Sequence, residues 1–189
     1  MWQTDFTYFK IIGWGWYYLS TILDDYSRYI IHWELCDSMK AEDVKRTVDT
    51  AIKKAKLKTK VKPKLLSDNG SCYVSSELKT YLRDNVKMKQ VHGKPMHPQT
   101  QGKIERYHRT MKNVVKLNHF YHPEELIHAL EKFVENYNNK RYHESINNLT
   151  PADVYFGRSE QILEKRKQIK EESIRKRRQI YNQQKLVSL

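Results

Sequence analysis

The sequence predicts an α/β fold: a mixed sheet with helices packed against it and a helical extension behind it. Three observations carry this. Three aromatic and β-branched runs follow one another within the first 35 residues, with short connections, which is the pattern of an antiparallel meander. A helix-period stretch then leads into a short buried-type strand, and a helix crossover suits a parallel neighbour in the same sheet. From Gln101 onward the apolar residues recur at helical spacing rather than in alternation.

Trp2 to Phe9 alternates and reads as the first strand, with Asp5 inside it. Strands are depleted in Asp, so Asp5 takes either an edge position or a function. Gly13-Trp-Gly15 is a turn signal; Trp16 to Asp24 and Arg28 to Leu35 read as the next two strands. Asp24 and Asp25 lie in the turn between them, where their side chains suit bonds to the turn backbone. Ser38 to Lys56 reads as a helix capped by Ser38, with Ala41, Val44, Val48, Ala51, Ile52 and Ala55 as its apolar stripe. The basic stretch Lys53 to Lys64 reads either as a phosphate contact or as a solvated helix end with cations favoured by the helix dipole. Lys64 to Asp68 is a short strand ending in Asp68-Asn-Gly70, which leaves the Asp68 carboxylate at the carboxyl end of the strand, where open α/β sheets bind their ligands. Ser76 to Asp84 reads as a short helix and Val86 to Val91 as the last strand. His92 to Gly102 reads as a mobile loop, in which His97 reads as a plain loop histidine or, alternatively, as a substrate contact.

Gln101 to Lys116 is the stretch around which the chain is organised. Gly102 opens an amphipathic helix whose buried face is Ile104, His108, Met111 and Val115. A second row, Glu105, Arg109, Lys112 and Lys116, lies about a quarter turn away, at about 100° per residue. It sets one carboxylate above three cations. Taken alone, such a row is also what a solvated face with i, i+4 ion pairs looks like. Pro123 to Asn138 carries Leu126, Ile127, Leu130, Phe133, Val134 and Tyr137 on one stripe, and Thr150-Pro151 opens a further short helix. Ser159 to Leu186 has few apolar residues and two basic clusters, Lys165-Arg-Lys167 and Arg175-Lys-Arg-Arg178. It reads as a projecting or partly disordered tail, or as a phosphate-binding arm. The expected division is a core with its following helices over 1–157 and a basic tail over 158–189.

The 189 residues carry a net charge of +13 and a pI near 9.6, which favours a polyanionic partner, nucleic acid above all. No apolar run approaches the length of a spanning helix, and no signal peptide opens the chain, so a membrane partner is not expected. Cys36 and Cys72 lack metal-site spacing and read as reduced thiols of a cytoplasmic protein. His119 and His122 read as helix-start and surface residues rather than zinc ligands. Asp5, Asp68 and Glu105 come from three separate elements. If the fold converges them, they make a hard-oxygen site suited to magnesium or manganese. Two such ions, about 4 Å apart, can clamp an in-line phosphoryl displacement.

Trp2-Gln-Thr-Asp5, Leu23-Asp-Asp-Tyr-Ser-Arg28, Ser67-Asp-Asn-Gly70 and His97-Pro-Gln-Thr-Gln-Gly-Lys-Ile-Glu-Arg106 together resemble the catalytic core of the retroviral-type integrases, and most of all the transposases of bacterial insertion sequences. Tyr137-Asn-Asn-Lys-Arg-Tyr-His143 and Leu149-Thr-Pro-Ala152 resemble the helical segment that follows that core. The resemblance runs from about residue 2 to residue 157. It implies a ribonuclease H-like fold, a mixed five-stranded sheet flanked by helices, with an Asp-Asp-Glu triad of catalytic metal ligands carried onto Asp5, Asp68 and Glu105. It implies two magnesium or manganese ions, nicking of DNA at transposon ends, and joining of the freed 3′ hydroxyl to target DNA by a homo-multimer in the bacterial cytoplasm. It makes Arg109, Lys112 and Lys116 DNA-binding candidates, with Lys103 beside them. One departure is the spacing: residues 69 to 104, thirty-six of them, separate Asp68 from Glu105, where the family commonly leaves thirty-five. Another is that only Met1 precedes Trp2, where family transposases carry helix-turn-helix segments. The chain is therefore expected to be a catalytic fragment whose DNA-binding segment is separate or missing. Alternative readings are a remnant acting as a non-catalytic DNA-binding or regulatory partner, and a ribonuclease H-type nuclease.

Overall fold

A computed structural model describes residues 1–57, 62–93 and 101–187 of the chain. The meander forms as the sequence indicates: β1 (Trp2–Ile11), β2 (Gly15–Asp24) and β3 (Ile30–Cys36) pair antiparallel, with Asp5 opposite Thr21. The crossover helix α1 (Ala41–Lys54) returns the chain to β4 (Leu65–Ser67), which is parallel to β1, and β5 (Gln90–His92) extends the sheet in parallel. The result is a five-stranded mixed sheet in the order β3-β2-β1-β4-β5.

Two apolar layers cover the two faces. On one, Trp2, Ile22, Ile31 and Leu65 pack under Val44, Val48 and Ala51 of α1 and under Tyr73, Leu78 and Leu82. On the other, Phe9, Ile11, Leu19, Leu23 and Ile30 pack under α4 (Gly102–Val115) and α5 (Pro123–Asn139). Full burial of a Leu, Ile or Phe is worth about 1.5–3 kcal/mol, so these layers hold the helices to the sheet. Asn138 secures the far edge: its Oδ1 accepts from Ile30 N–H (2.9 Å) and its Nδ2 donates to Ile30 C=O (3.0 Å), both buried.

Three local expectations are revised. Ser38 does not cap α1; its hydroxyl bonds the Asp43 carboxylate, and Asp43 itself accepts from Lys40 N–H. These bonds hold the Asp43 carboxyl below its usual range despite burial. The helix expected over Ser76 to Asp84 is instead α2 (Ser71–Val74), α3 (Ser76–Thr80) and a π-helical turn (Tyr81–Val86). Ser75 accepts from Leu78 N–H and restarts the chain, and Lys87 ends it in the left-handed region at φ 60°. The last strand is confined to Gln90–His92.

After α5, a 3-10 turn (Glu144–Ile146) and α6 (Pro151–Tyr155) lead to α7 (Ser159–Val187), so the basic tail is helical through Val187. Its start is tied down by Arg166, which donates to the carbonyls of Asn147 and Asn148 and lies over the Tyr142 ring. Ile169 and Ile180 are more than half exposed, so this helix is polar all round and rests on local pairs such as Gln168 with Glu164. No helix among the described residues is long and apolar enough to cross a membrane.

Candidate active site

The site is built where β1, β4 and α4 meet. β4 pairs with β1 only at Trp2–Leu65 and Gln3–Leu66. Continuing that parallel register by two residues, one past the end of β4, points Asp68 toward the level of Asp5. Both carboxylates act on the same neighbours. With burial as the larger cause, Asp68 and Asp5 push the Cys72 thiol up to about 11, and both raise the buried Tyr73 phenol.

Each Asp is held locally. Trp2 N–H points toward β4 and donates to Lys64 C=O, so the even-numbered N–H groups of β1 face that side. β4 has ended before Phe6, and Phe6 N–H donates instead to Asp5 Oδ1 (2.9 Å). Asp68 Oδ1 accepts from Gly70 N–H (2.8 Å) in an Asx turn that leads into α2. A Cβ on Gly70 would lie 3.0 Å from Asp68 Oδ1, so glycine allows this close turn.

α4 runs alongside β1 in the same direction. Ile104 N–H donates to Gln3 Oε1 (3.1 Å), His108 Nδ1 lies 3.3 Å from Asp5 Oδ2, Lys112 and Lys116 lie over the Tyr8 ring, and Ile12 N–H donates to Phe120 C=O. Glu105 lies between the first two of these contacts, in the first turn of α4, and is exposed. The turn is fixed further by Asp25, whose carboxylate accepts from Gln3 Nε2 (2.7 Å) and pairs with Lys103 Nζ (2.8 Å); Lys103 also donates to Asp25 C=O (2.9 Å). Asp24 plays the turn role expected of it, accepting from Ser27 N–H and Oγ. Asp25 does not, because its carboxylate is turned toward α4.

The buried row of α4 is the expected one, Ile104, His108, Met111 and Val115, widened by Tyr107. Arg109 is exposed and has no ion pair among the described residues. Lys112 is held below its usual lysine range by burial and by Lys116. His108 is the residue whose part sequence reasoning missed. Its Nδ1 reaches Asp5, while its Nε2 is buried without a hydrogen-bond partner among the described residues. The available signal was a histidine on an apolar stripe three residues after a candidate acid. His97 lies outside the described residues. His122 serves at the start of α5, where Glu125 accepts from the N–H groups of Tyr121 and His122. Cys36 and Cys72 are free thiols, and burial pushes Cys36 up to about 12.

A divalent cation suits the chemistry of this donor set, since all three candidate groups are carboxylates. Asp68 Oδ2 takes no hydrogen bond from the described residues. The three acids are not drawn tightly together, however: no group of three or more His, Cys, Asp or Glu among the described residues lies close enough to hold a metal ion. Carboxylates that approach one another without a counter-ion repel.

An integrase core domain model matches residues 1–98, and a second integrase core domain model matches residues 86–151. The chain belongs to the integrase core domain family. Solved integrases share its fold. The catalytic core domain of BIV integrase superposes with a TM-score of 0.61 at 22% identity, over 86% of this chain and 97% of that one. The HTLV-2 integrase catalytic core domain, solved in complex with magnesium in a trimeric form, gives 0.61 at 19%, over 82% and 94%. A chain of the simian T-cell lymphotropic virus intasome, solved with PP2A regulatory subunit B56 gamma, gives 0.67 at 18%, over 82% and 53%. The present chain thus spans about half the length of that intasome chain. The ribonuclease H-like sheet expected from the sequence is the one observed, and this integrase core carries its acidic groups at the junction of β1, β4 and α4.

Proposed function

We propose that the chain is the catalytic domain of a DNA transposase, a metal-dependent polynucleotidyl transferase that nicks DNA at element ends and joins the freed 3′ hydroxyl to target DNA. The observation that supports this reading is the β1–β4 pairing at Trp2–Leu65 and Gln3–Leu66, whose continuation leads toward Asp5 and Asp68, with Gln3 and His108 tying the Glu105-bearing start of α4 to β1. In this reading the three carboxylates hold magnesium or manganese, two ions by the family pattern. When bound, these ions supply Lewis-acid activation of the attacking hydroxyl and neutralise charge on the leaving oxygen. Water is the nucleophile in nicking and the 3′ hydroxyl in joining, so no covalent enzyme intermediate is required.

The protein's own part is to hold and orient. Phe6 N–H and His108 fix the two oxygens of Asp5, and Gly70 N–H fixes one oxygen of Asp68. Arg109, Lys112 and Lys116 grip the phosphate backbone beside the acids. Lys103 contributes less, because Asp25 already answers its charge. Residues 1–157 form the working core, with α7 as an added basic arm. The active form is a multimer in the bacterial cytoplasm; the reduced thiols suit that compartment, and the intasome and the trimeric core among the structural relatives suit assembly.

The test is a nicking and strand-transfer assay with plasmid DNA and a labelled 3′-hydroxyl oligonucleotide, in magnesium or manganese. Asp5→Asn and Glu105→Gln should each abolish joining and nicking while circular dichroism stays native. Retained metal-dependent nicking by either variant would refute the triad. A second reading, a non-catalytic DNA-binding partner, draws on the loose spacing of the acids. Salt-sensitive DNA binding with no cleavage would favour it. Cleavage of RNA–DNA hybrids without strand transfer would point instead to a ribonuclease H-type nuclease.

A further inference from the structure

On the flank of α4 away from Glu105, three arginines meet over one small cavity. At about 100° per residue, Lys103, Arg106 and Thr110 sit about 100–160° round the helix from Glu105, and the buried row takes the remaining side. Lys103 and Arg106 reach the cavity from α4, Arg28 from the turn between β2 and β3, and Arg141 and His143 from the segment after α5. No Asp or Glu lines it among the described residues. Lys103 is answered by Asp25. The arginines are not: among the described residues, the guanidiniums paired with carboxylates are those of Arg46, Arg83 and Arg158. All three charges of the cavity reach the Tyr137 phenol, where they oppose the rise that burial causes, and Arg141 lies 6.0 Å from its ring centre.

Backbone bonds build this arrangement. Arg28 stands in the left-handed region at φ 68°, which glycine or asparagine occupies at less cost. Its N–H donates to Asp24 C=O (2.9 Å), and its guanidinium donates to Asp25 C=O. Arg141 N–H donates to Asn136 C=O (2.9 Å) and His143 N–H to Leu149 C=O (3.0 Å), so the segment bearing both is tied at each end. His143 meets the Tyr137 ring edge-on, and its buried Nε2 has no hydrogen-bond partner among the described residues. Cations gathered without a counter-charge repel one another. A charged residue in a costly turn conformation, two further guanidiniums and an unanswered ring nitrogen make a donor set that lacks its acceptor.

Size and charge name the acceptor. The cavity measures about 50 Å³. One water needs about 10–15 Å³ of such space, so the cavity takes a group of about three to five atoms and no base or sugar ring. A carboxylate would bring one charge and two oxygens. A phosphate brings more oxygens and more charge, which match three planar guanidinium forks. We propose that Arg28, Arg106 and Arg141 form a pocket for a single phosphate group, set off from Glu105 by about the width of α4, ~10 Å. The phosphate belongs either to a nucleic-acid strand lying along this flank or to a small free phosphate, and the pocket chemistry is the same for both. The pocket goes beyond the proposed transferase reaction and stands without it.

The test is isothermal titration calorimetry of the full chain with sodium phosphate in EDTA, with sodium acetate as the comparison. Wild type should bind phosphate saturably and about tenfold more tightly than acetate, since phosphate engages one more fork. Arg28→Gly suits the left-handed backbone and removes the guanidinium. It should keep the wild-type circular dichroism and still lose about tenfold in phosphate affinity, the size of one charge-assisted hydrogen bond. Arg106→Gln and Arg141→Gln should each lose a similar factor. Arg83→Gln removes the same charge on the other face of the sheet and should leave phosphate affinity near wild type. Anisotropy with labelled duplex DNA, also in EDTA, identifies the source. A similar loss in the three pocket variants assigns the phosphate to a nucleic-acid strand, and unchanged DNA affinity assigns it to a free phosphate. No saturable phosphate binding by wild type overturns the proposal, as does acetate binding as tight as phosphate, or a loss in Arg83→Gln equal to that in the pocket variants. Nicking by Asp5→Asn would refute the catalytic reading without moving phosphate affinity.

Discussion

Gln3 is the residue through which the catalytic proposal is most exposed to test. Its side chain joins two elements far apart in sequence: Oε1 accepts from Ile104 N–H at 3.1 Å and Nε2 donates to Asp25 Oδ1 at 2.7 Å. Ile104 N–H is one of the first donors of α4, with no partner inside the helix. Gln3→Leu keeps the volume and removes both bonds. Leaving the buried Ile104 N–H unpaired costs about 1–3 kcal/mol. Loss of the bond to Asp25 costs about 0.5–1.5 kcal/mol, because Lys103 remains beside that carboxylate. The expected total is about 1.5–4.5 kcal/mol, against a typical stability of about 5–15 kcal/mol, so the variant still folds. Freed from β1, the first turn of α4 shifts and carries Glu105 with it, and a displacement of about 1 Å can cost about 100-fold in rate. Urea denaturation measures the first effect, and nicking rate at a temperature where the variant is fully folded measures the second. A stability change below about 0.5 kcal/mol would show that the network contributes nothing. The expected loss of stability with a wild-type rate would show that it holds the fold without positioning Glu105.

Three other outcomes are expected. Gly70→Ala keeps an ordinary backbone but presses a methyl against Asp68 Oδ1, so the nicking rate should fall while circular dichroism and the urea midpoint stay near wild type. Asn138→Ala leaves the Ile30 N–H and C=O unpaired at the β3 edge, and should cost about 2–4 kcal/mol by urea denaturation. His32 and His143 are held down to about 4, by burial first and then by Lys54, and by Arg141 and Arg28, respectively. The unfolded chain takes up these protons below about 6.5 and the folded chain does not until about 4. Stability should therefore be intact above that window and drop as pH falls through it, by about 1 kcal/mol per histidine after discounting for solvent screening. His143→Gln should shrink the difference between urea midpoints at pH 7 and pH 5; an unchanged difference would refute this assignment.

Periodicity carried the elements well where the signal is local. The row Ile104, His108, Met111 and Val115 is buried as its spacing requires, and the meander and the parallel crossover follow from run length and connection length. What the sequence could not express are contacts between residues far apart. Gln3 and Ile104 are 101 positions apart, and the bonds of Asn138 to Ile30 span 108. Asp25 shows the same limit: a turn aspartate by local rules, it is drawn to Lys103 by a helix 78 positions away. Capping failed because the helix starts two residues after Ser38, at Lys40, so the Ser38 hydroxyl donates to the Asp43 carboxylate instead of accepting from a first-turn N–H. For the candidate site, residue types could be named in sequence, but the pairing of β1 with β4 that brings Asp5 and Asp68 to the same end of the sheet belongs to the fold.

The short reach of β4 has one more consequence. It leaves β1 without a neighbouring strand beyond Gln3 on that side, with Phe6 N–H answered only by Asp5 Oδ1 and Ile12 covered again by Phe120. Such a margin is a template on which another chain can add a strand, and lysine is among the residues that commonly guard one. Lys10, Lys112 and Lys116 stand along this margin. Replacing them to weaken DNA contacts would therefore also remove a barrier to aggregation, and turbidity has to be measured beside affinity before any such variant is interpreted.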